Sequence, residues 1–309
     1  VIIAGPNLTI DRTSRLAELR PGEVLRVGDV AVTPGGKGLN VARAALLLRA
    51  PASLVGFIPG YTGRAAAAMI AEEGVTLQGV PAPGEIRSTT IVLEPGRATV
   101  INEPGPELPH DAWLTFEAIV DDDLADHAVL VCSGSLPPGA PDDGYAKLVA
   151  RARDAGRRSV VDAAGAALAA SLSAYPDVVV PNLGEAEGVL HGHPDEAVDA
   201  APDARPRAEQ AARELVRRGA EAAVVTAAAA GAAIAWDHEP VWIDAPPVNV
   251  VNPIGAGDVL TAALAAALER GVPLIDAVRE GVAAASAAVE HPVAGRFDPT
   301  RFRALLKRA

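Results

Sequence analysis

In 309 residues the chain has one cysteine, one methionine and only 3% aromatic residues. The lone Cys132 excludes an intramolecular disulfide framework and suits a reducing compartment, with a buried small thiol as its ordinary role. Half the residues are hydrophobic, and with so few rings the core must be built from Ala, Val and Leu, which suits helices packed closely on a sheet. Positive charge is also scarce: 27 Lys and Arg against 39 Asp and Glu leave a net charge of -12. That excludes the basic stripe of a nucleic-acid-binding or anionic-membrane-binding surface, so an anionic substrate needs a local cationic pocket. The apolar runs are short or dominated by alanine, and no basic-then-apolar leader opens the residues given, which begin at Val1. A cytoplasmic protein acting on small molecules is the expectation.

What is present is alternation. Val1–Ala4, Ser53–Phe57, Ala128–Cys132, Ser159–Asp162, Asp177–Val180 and Ala222–Thr226 read as short β-branched strands. Gly38–Arg49, Gly63–Glu73, Gly144–Ala155 and Pro206–Arg218 read as the helices between them. Near-continuous apolar strands separated by helices predict an α/β fold, a mostly parallel sheet with helices on both faces and ligands at the carboxyl ends of its strands. Two places break the rhythm. Glu23–Val32, and the hairpin pattern Thr89–Leu93, EPGR, Ala98–Ile101, predict strands with no helix to cover them. They suggest a small antiparallel β lid, discontinuous in sequence over about 12–33 and 87–103, that covers the active site or meets another subunit. His191–Arg207, rich in Pro, Asp and Ala, reads as a surface insertion. Its HGH triplet at 191–193 has no third ligand at a useful spacing, so a metal role is not assigned.

Two glycine-rich stretches carry the chemistry. In NPIGAGDVLTAALAAAL, residues 252–268, Gly255 and Gly257 leave backbone N–H groups unobstructed where a helix begins, an arrangement that binds anions. Asp258 falls in that helix's first turn. There it can complement the helix dipole, or it can accept a proton from a hydroxyl while the amides of Gly255, Ala256 and Gly257 hold the phosphate in transit. PGGKGLNVARA, residues 34–44, offers Gly35, Gly36 and the Lys37 ammonium ahead of a second helix. It is not a Walker A loop, because Ala31 holds the first glycine position and Gly38 follows Lys37 where Ser or Thr is required. Asn40 either points back to a polar ligand or caps the helix.

GGKGLNVARA and GAGD together resemble the ribokinase-like carbohydrate kinases, the PfkB family, and within it the phosphosugar branch of 1-phosphofructokinases and tagatose-6-phosphate kinases. NLTIDRT (7–13), LRPGEVLRV (19–27), INEPGPEL (101–108), SGSLPPG (133–139) and PNLGEAE (181–187) follow the branch's order over nearly the whole chain. The resemblance implies one ribokinase-like (Rossmann-like) kinase domain over 1–309. It also implies transfer of the ATP γ-phosphate to a sugar hydroxyl, with Mg²⁺, and a homodimer formed through the β lid. Asp258 matches the catalytic base, and Gly255, Ala256 and Gly257 the anion-hole loop. Asp11, Gly35, Gly36, Lys37 and Asn40 match sugar-contacting positions, and Arg87 a phosphosugar-contacting arginine whose planar fork suits phosphate. Asn182 and Glu185 match the NxxE motif that organises Mg²⁺ through water, while Thr226 and Gly231 match the nucleotide side. Ser133, Gly134 and Ser135 could contact either ligand, and Glu187 reads as a solvated helix residue.

Four positions depart from the family pattern. Val180 stands where lysine usually precedes Pro-Asn, Thr89 replaces the lid asparagine, and Ala228 and Ala230 stand where a glycine and often an acid are expected. Alanine at 228 is expected to crowd the nucleotide or to occupy a backbone conformation it disfavours. The acceptor expected is a ketohexose phosphate: fructose 1-phosphate, fructose 6-phosphate or tagatose 6-phosphate. A ribokinase-like enzyme for an unphosphorylated sugar or nucleoside, and a catalytically impaired sugar-phosphate sensor, are the alternatives.

Overall fold

A computed structural model describes residues 1–95, 97–192 and 202–308. From the N-terminus, β1 (Ile2–Ala4) leads into β2 (Thr9–Arg15) and β3 (Val30–Gly35), and α1 (Lys37–Leu47) returns the chain to β4 (Ser53–Phe57). After α2 (Gly60–Glu72) and β5 (Leu77–Val80) comes the hairpin β6 (Arg87–Glu94) and β7 (Arg97–Asn102). Strand–helix alternation then runs through α3 (His110–Leu124), β8 (Val129–Ser133), α4 (Gly144–Asp154), β9 (Arg158–Asp162), α5 (Gly165–Leu172), β10 (Val178–Val179), α6 (Leu183–His191) and α7 (Ala204–Arg217). The chain closes with β11 (Ala223–Ala227), β12 (Gly231–Ala235), β13 (Val241–Asp244), α8 (Ala256–Glu269), α9 (Leu274–Ala288) and α10 (Pro299–Leu306).

Nine strands form one sheet in the order β13-β12-β11-β10-β9-β8-β1-β4-β5, every neighbouring pair parallel except β11 with β12 and β12 with β13. This is the ribokinase-like α/β architecture the sequence predicts. The apolar strands are continuous because both faces are buried. Ile3, Val129, Val131, Val160 and Val224 face a core shared with α1, α2, α8, α9 and α10. Their neighbours Ile2, Leu130, Val161 and Val225 face a second core under α3 to α7. In that second core Phe57, Trp113 and Phe116 stack with centroids 5.0–6.3 Å apart, while Phe297 and Phe302 meet edge-on in the first. In α8 every position from Asp258 to Leu268 is buried. Its alanines let α1 and α9 approach closely, which is where an Ala-rich, ring-poor composition is spent. Order reverses at β1, whose neighbours are β8 on one side and β4 on the other, opening a crevice at the carboxyl ends of these strands.

The second sheet has four strands in the order β3-β2-β6-β7. Its two outer pairs are antiparallel and its central pair, β2 with β6, is parallel in the register Asp11 with Thr89. The hairpin is as predicted and slightly longer. The strand expected over Glu23–Val32 is instead Val30–Gly35: residues 23–29 have no neighbouring strand and bury no face, with Val24 84% exposed. Glu187 is not solvated; its carboxylate takes a two-pronged pair from Arg207 at 2.6 and 2.8 Å, tying α6 to α7. Most of the predicted insertion, residues 193–201 with the last histidine of HGH, lies outside the described residues, and α7 already begins at Ala204. Cys132 is buried as expected, and burial pushes its thiol pKa up. No helix among the described residues is long and apolar enough to cross a membrane.

Candidate active site

The carboxyl ends of the central strands and the N-termini of α1, α6 and α8 meet at the crevice beside β1. Gly255 precedes α8 with φ +81°, in the left-handed region that glycine enters without steric cost, and so turns the chain sharply into the helix. A Cβ on Gly257 would meet nothing within 4 Å, so the surface of α8 at this residue is open. Of the first-turn N–H groups of α8, that of Ala256 reaches the Pro253 carbonyl at 3.4 Å, while those of Gly257 and Asp258 precede any helical carbonyl partner, which leaves them for an anion.

Asp258 sits one residue further, 5% exposed. Asn40 Nδ2 donates to its Oδ2 at 2.8 Å. Asn40 therefore serves the carboxylate and does not cap α1, whose N-cap is Gly36. Burial, with the carboxylates of Asp162 and Glu185 nearby, pushes the Asp258 pKa up to about 7, against the opposing pull of Lys37 and of the Asn40 amide.

Lys37 Nζ donates to Asp162 Oδ1 at 3.0 Å and to Glu185 Oε1 at 3.1 Å. Burial alone would lower its pKa, but Asp162, Glu185 and Asp258 outweigh that and raise it, so the ammonium stays charged. The ammonium thus stands between the α1 loop and α6. Glu185 and Asn182 form a reciprocal cap on α6: Asn182 Oδ1 accepts from the Glu185 N–H at 2.7 Å and Glu185 Oε2 from the Asn182 N–H at 3.0 Å. This fixes the Glu185 rotamer toward Lys37.

On one side lies a cavity of about 720 Å³ lined by Asn182, Thr226, Ala228, Gly231 and Gly257 among others, with an apolar floor that includes Leu260 and Val282. Its size and its few polar groups suit an organic ligand with one anionic end. Thr226, Gly231 and Asn182 are gathered here as the sequence predicts. Ala228 has φ +44°, the disfavoured conformation anticipated for it. Left-handed backbone costs a non-glycine residue roughly 1–2 kcal/mol, while glycine's extra freedom when unfolded costs roughly 0.5–1 kcal/mol. Ala228→Gly is therefore expected to stabilise the fold by about 0.5–1 kcal/mol in chemical denaturation; a lower midpoint would remove the strain argument.

On the other side the small sheet leans over the α1 loop. A Cβ on Gly35 would lie 2.2 Å from Asp11 Oδ2, so only glycine admits the carboxylate there. Asp11 Oδ1 is buried without a hydrogen-bond partner, and burial raises its pKa against the pull of Arg43, Thr89 and Arg87. An orphaned buried acceptor of this kind is suited to a ligand hydroxyl. The Arg87 guanidinium donates through Nε and Nη2 to the Asn7 carbonyl at 3.3 and 3.1 Å and through Nη1 to the Glu103 carbonyl at 3.2 Å. Thr89 bonds Thr9 and Asn102, at 3.2 and 3.1 Å, so an amide reaches this wall from β7.

Ser133, Gly134 and Ser135 border the same crevice. Their loop is held from below by the Tyr145 hydroxyl, which donates to the Ser133 and Gly134 carbonyls at 3.1 Å each. Ser135 Oγ accepts from Asn7 at 2.9 Å. Val180 is buried in the apolar core, so no cation replaces the usual lysine at that position. Sequence reading passed over Asp162, which pairs Lys37 and accepts from Thr261 Oγ1 at 3.2 Å. The available signal was an acid ending an otherwise apolar central strand, RSVVD.

Glu185 and Asp162 supply oxygen donors of the kind Mg²⁺ takes, and they are too few to strip it of water. Among the described residues no group of three His, Cys, Asp or Glu could cage a metal ion. The donor set fits an ion held largely through water and phosphate.

The pfkB family carbohydrate kinase model matches residues 7–301. Phosphofructokinase-2 from Escherichia coli, solved in complex with fructose-6-phosphate, is 28% identical with a TM-score of 0.85, over 100% of this chain and 98% of that one. A possible 1-phosphofructokinase from Thermotoga maritima is 22% identical, TM-score 0.84, over 99% and 97% of the two chains. Arabidopsis thaliana ribokinase complexed with ribose and ATP is 22% identical, TM-score 0.75, over 99% and 98%. The last two share the fold. With a family model spanning nearly every residue, and with a buried acid at a glycine-framed helix N-terminus, the chain belongs to the PfkB family of carbohydrate kinases and is a sugar kinase.

Proposed function

We propose that this kinase transfers the γ-phosphoryl group of ATP to a hydroxyl of a ketohexose phosphate, with fructose 1-phosphate, fructose 6-phosphate and tagatose 6-phosphate as candidate acceptors. The observation that carries the reading is Asp258, a buried carboxylate bonded to the first turn of α1 through Asn40 and adjacent in sequence to Gly257 on the cavity wall. ATP occupies the cavity, its phosphates toward Asn182 and the N-terminus of α8. The acceptor lies under the lid, with a hydroxyl on Asp11 and its existing phosphate on Arg87. Residues 1–309 act as one kinase domain with the small sheet as its lid, and Val32, Val100 and Ile101, exposed on that sheet, suit a homodimer contact. A single cysteine in the sequence suits a reducing, cytoplasmic compartment.

In the reaction Asp258 Oδ1, the oxygen not bonded to Asn40, takes the acceptor's hydroxyl proton. The acceptor oxygen forms its bond to the γ-phosphorus as the bond to the β-phosphate oxygen breaks, and ADP leaves. The amides of Gly255, Ala256 and Gly257 and the Lys37 ammonium stabilise the charge on the phosphoryl oxygens. Glu185 and Asp162 would hold Mg²⁺ through water, and the ion would neutralise charge on the nucleotide phosphates.

A base with a pKa near 7 makes the rate depend on pH in a stated direction. Below about pH 7 the proton is already in place on Asp258, so kcat/KM falls as pH drops. A kcat/KM that stays flat down to pH 5.5 contradicts the assignment. The function itself is tested by ADP release with Mg-ATP across phosphorylated and free sugars, alongside thermal unfolding with each sugar. Turnover confined to a ketohexose phosphate supports the proposal. Preference for a free sugar or nucleoside, or stabilisation by sugar phosphate without ADP release, overturns it in favour of an unphosphorylated acceptor or of a sensor.

A further inference from the structure

We propose that Arg43 and Glu73 are positioning residues for catalysis: their buried pair fixes which end of the Asn40 amide faces Asp258. The inference rests on the reading of Asp258 as the base. Asn40 and Arg43 lie three residues apart on one face of α1, and are 8% and 5% exposed. Arg43 Nη1 donates to Asn40 Oδ1 at 3.1 Å, and Asn40 Nδ2 donates to Asp258 Oδ2 at 2.8 Å. A guanidinium offers only donors and a carboxylate only acceptors. Reversing the amide would set N–H against N–H at Arg43 and oxygen against oxygen at Asp258. Both contacts would become repulsive together, so Arg43 selects the orientation that the base requires.

Arg43 is itself held on three sides. Glu73, just past the end of α2, takes Nε at 2.5 Å and Nη2 at 2.7 Å, and the Pro34 carbonyl takes Nη2 at 2.7 Å. Arg296 reaches Glu73 at 3.3 Å from the segment between α9 and α10. The pair therefore joins four stretches of chain around one amide. Fold stability alone is a poor account of it, because desolvating two charges offsets most of what their attraction returns.

The charged groups facing Asp258 are Lys37 from α1, Asp162 from β9 and Glu185 from α6; those facing Arg43 are Glu73, Asp11 from β2 and, behind Glu73, Arg296. The variants below leave Lys37, Asp162 and Glu185 in place, so the change they impose at Asp258 comes through Asn40. Without its anchor the amide samples both orientations, and the donor that favours the Asp258 anion is lost part of the time.

The test is the pH profile of kcat/KM for Arg43→Met, Arg43→Lys and Glu73→Gln, each checked for cooperative unfolding. Arg43→Met is expected to lower kcat about 10- to 100-fold and to move the acid limb up by about half to one pH unit. KM for both substrates should change little. Arg43→Lys, which still donates to Asn40 Oδ1, is expected to recover most of the loss. In an Asp258→Asn background, Arg43→Met should add no further loss, because the two act as one unit. An acid limb unmoved in folded Arg43→Met or folded Glu73→Gln overturns the proposal, as does a full additional loss in the Asp258→Asn background. If Arg43→Met does not fold, Arg43→Lys and Glu73→Gln decide: a limb moved in Glu73→Gln but not in Arg43→Lys supports it, and unmoved limbs in both overturn it. Near-normal turnover of Asp258→Asn by itself marks failure of the base assignment, which is a different result from failure of the positioning role.

Discussion

Asp258→Asn is expected to lower kcat by about 10²- to 10⁴-fold, the usual contribution of a positioned general base, while binding of both substrates is retained. Retention follows from the local geometry, since the asparagine oxygen can still accept from Asn40 Nδ2, 2.8 Å away in the native site. The same substitution has a stability signature. The Asp258 pKa in the folded protein, about 7, lies above its ordinary value of 3.8, so the native state holds the proton more tightly than the unfolded chain does. The stability this contributes is complete below the unfolded pKa and is lost as pH rises through 7. Removing the carboxylate should therefore raise the unfolding temperature at pH 8 and change it far less at pH 4. A variant that keeps near-normal turnover shows that Asp258 is not the base. One that loses sugar binding together with turnover shows that it holds the acceptor.

Arg87→Ala is expected to raise KM for the phosphorylated acceptor by about 10- to 150-fold, the equivalent of a charge-assisted hydrogen bond worth roughly 1.5–3 kcal/mol. KM for the unphosphorylated analogue should rise far less. The three bonds from the guanidinium to the Asn7 and Glu103 carbonyls fix its plane across the base of the lid. Of the five N–H groups an arginine carries, two are left for an anion. Desolvation is the largest influence on Arg87, with Asp11 and Glu103 opposing it, and a sugar phosphate would complete the neutralisation. Equal losses for phosphorylated and free sugar would assign Arg87 to lid architecture and not to phosphate reading. Kinetics on the two acceptors in parallel separate these outcomes.

The large sheet was legible because its strands are apolar on both faces and bounded by glycine and proline, as in Val1–Ala4 and Ser53–Phe57. β2 was not legible as a strand, because TIDRTSR spends its side chains on the site and on solvent and carries little apolar alternation. β12 was hidden for the opposite reason: in GAAIA, alanine and glycine give weak strand preference, and burial between β11 and β13 decides the conformation. Residues 23–29 misled because alternation alone makes no strand where no partner is within reach. At the site, GAGD and GGKG identified the two helix N-termini, and the strain at Ala228 followed from an alanine standing where the family pattern has glycine. The pairing of Lys37 with Asp162 and Glu185 was beyond sequence reading, since it joins residues 125 and 148 positions apart. The Arg43–Glu73 pair was hidden the same way, by a fold that brings the end of α2 against α1.

The central claim is that the γ-phosphoryl group of ATP ends on a hydroxyl of a ketohexose phosphate. It is tested most directly by ³¹P NMR of the protein with Mg-ATP and, in turn, fructose 6-phosphate, fructose 1-phosphate and tagatose 6-phosphate, with Asp258→Asn as the control. The account predicts one ketohexose bisphosphate growing in step with ADP, and no such growth with the control. ADP accompanied only by inorganic phosphate, or no new phosphate ester from any of the three while a free sugar is phosphorylated, would contradict it.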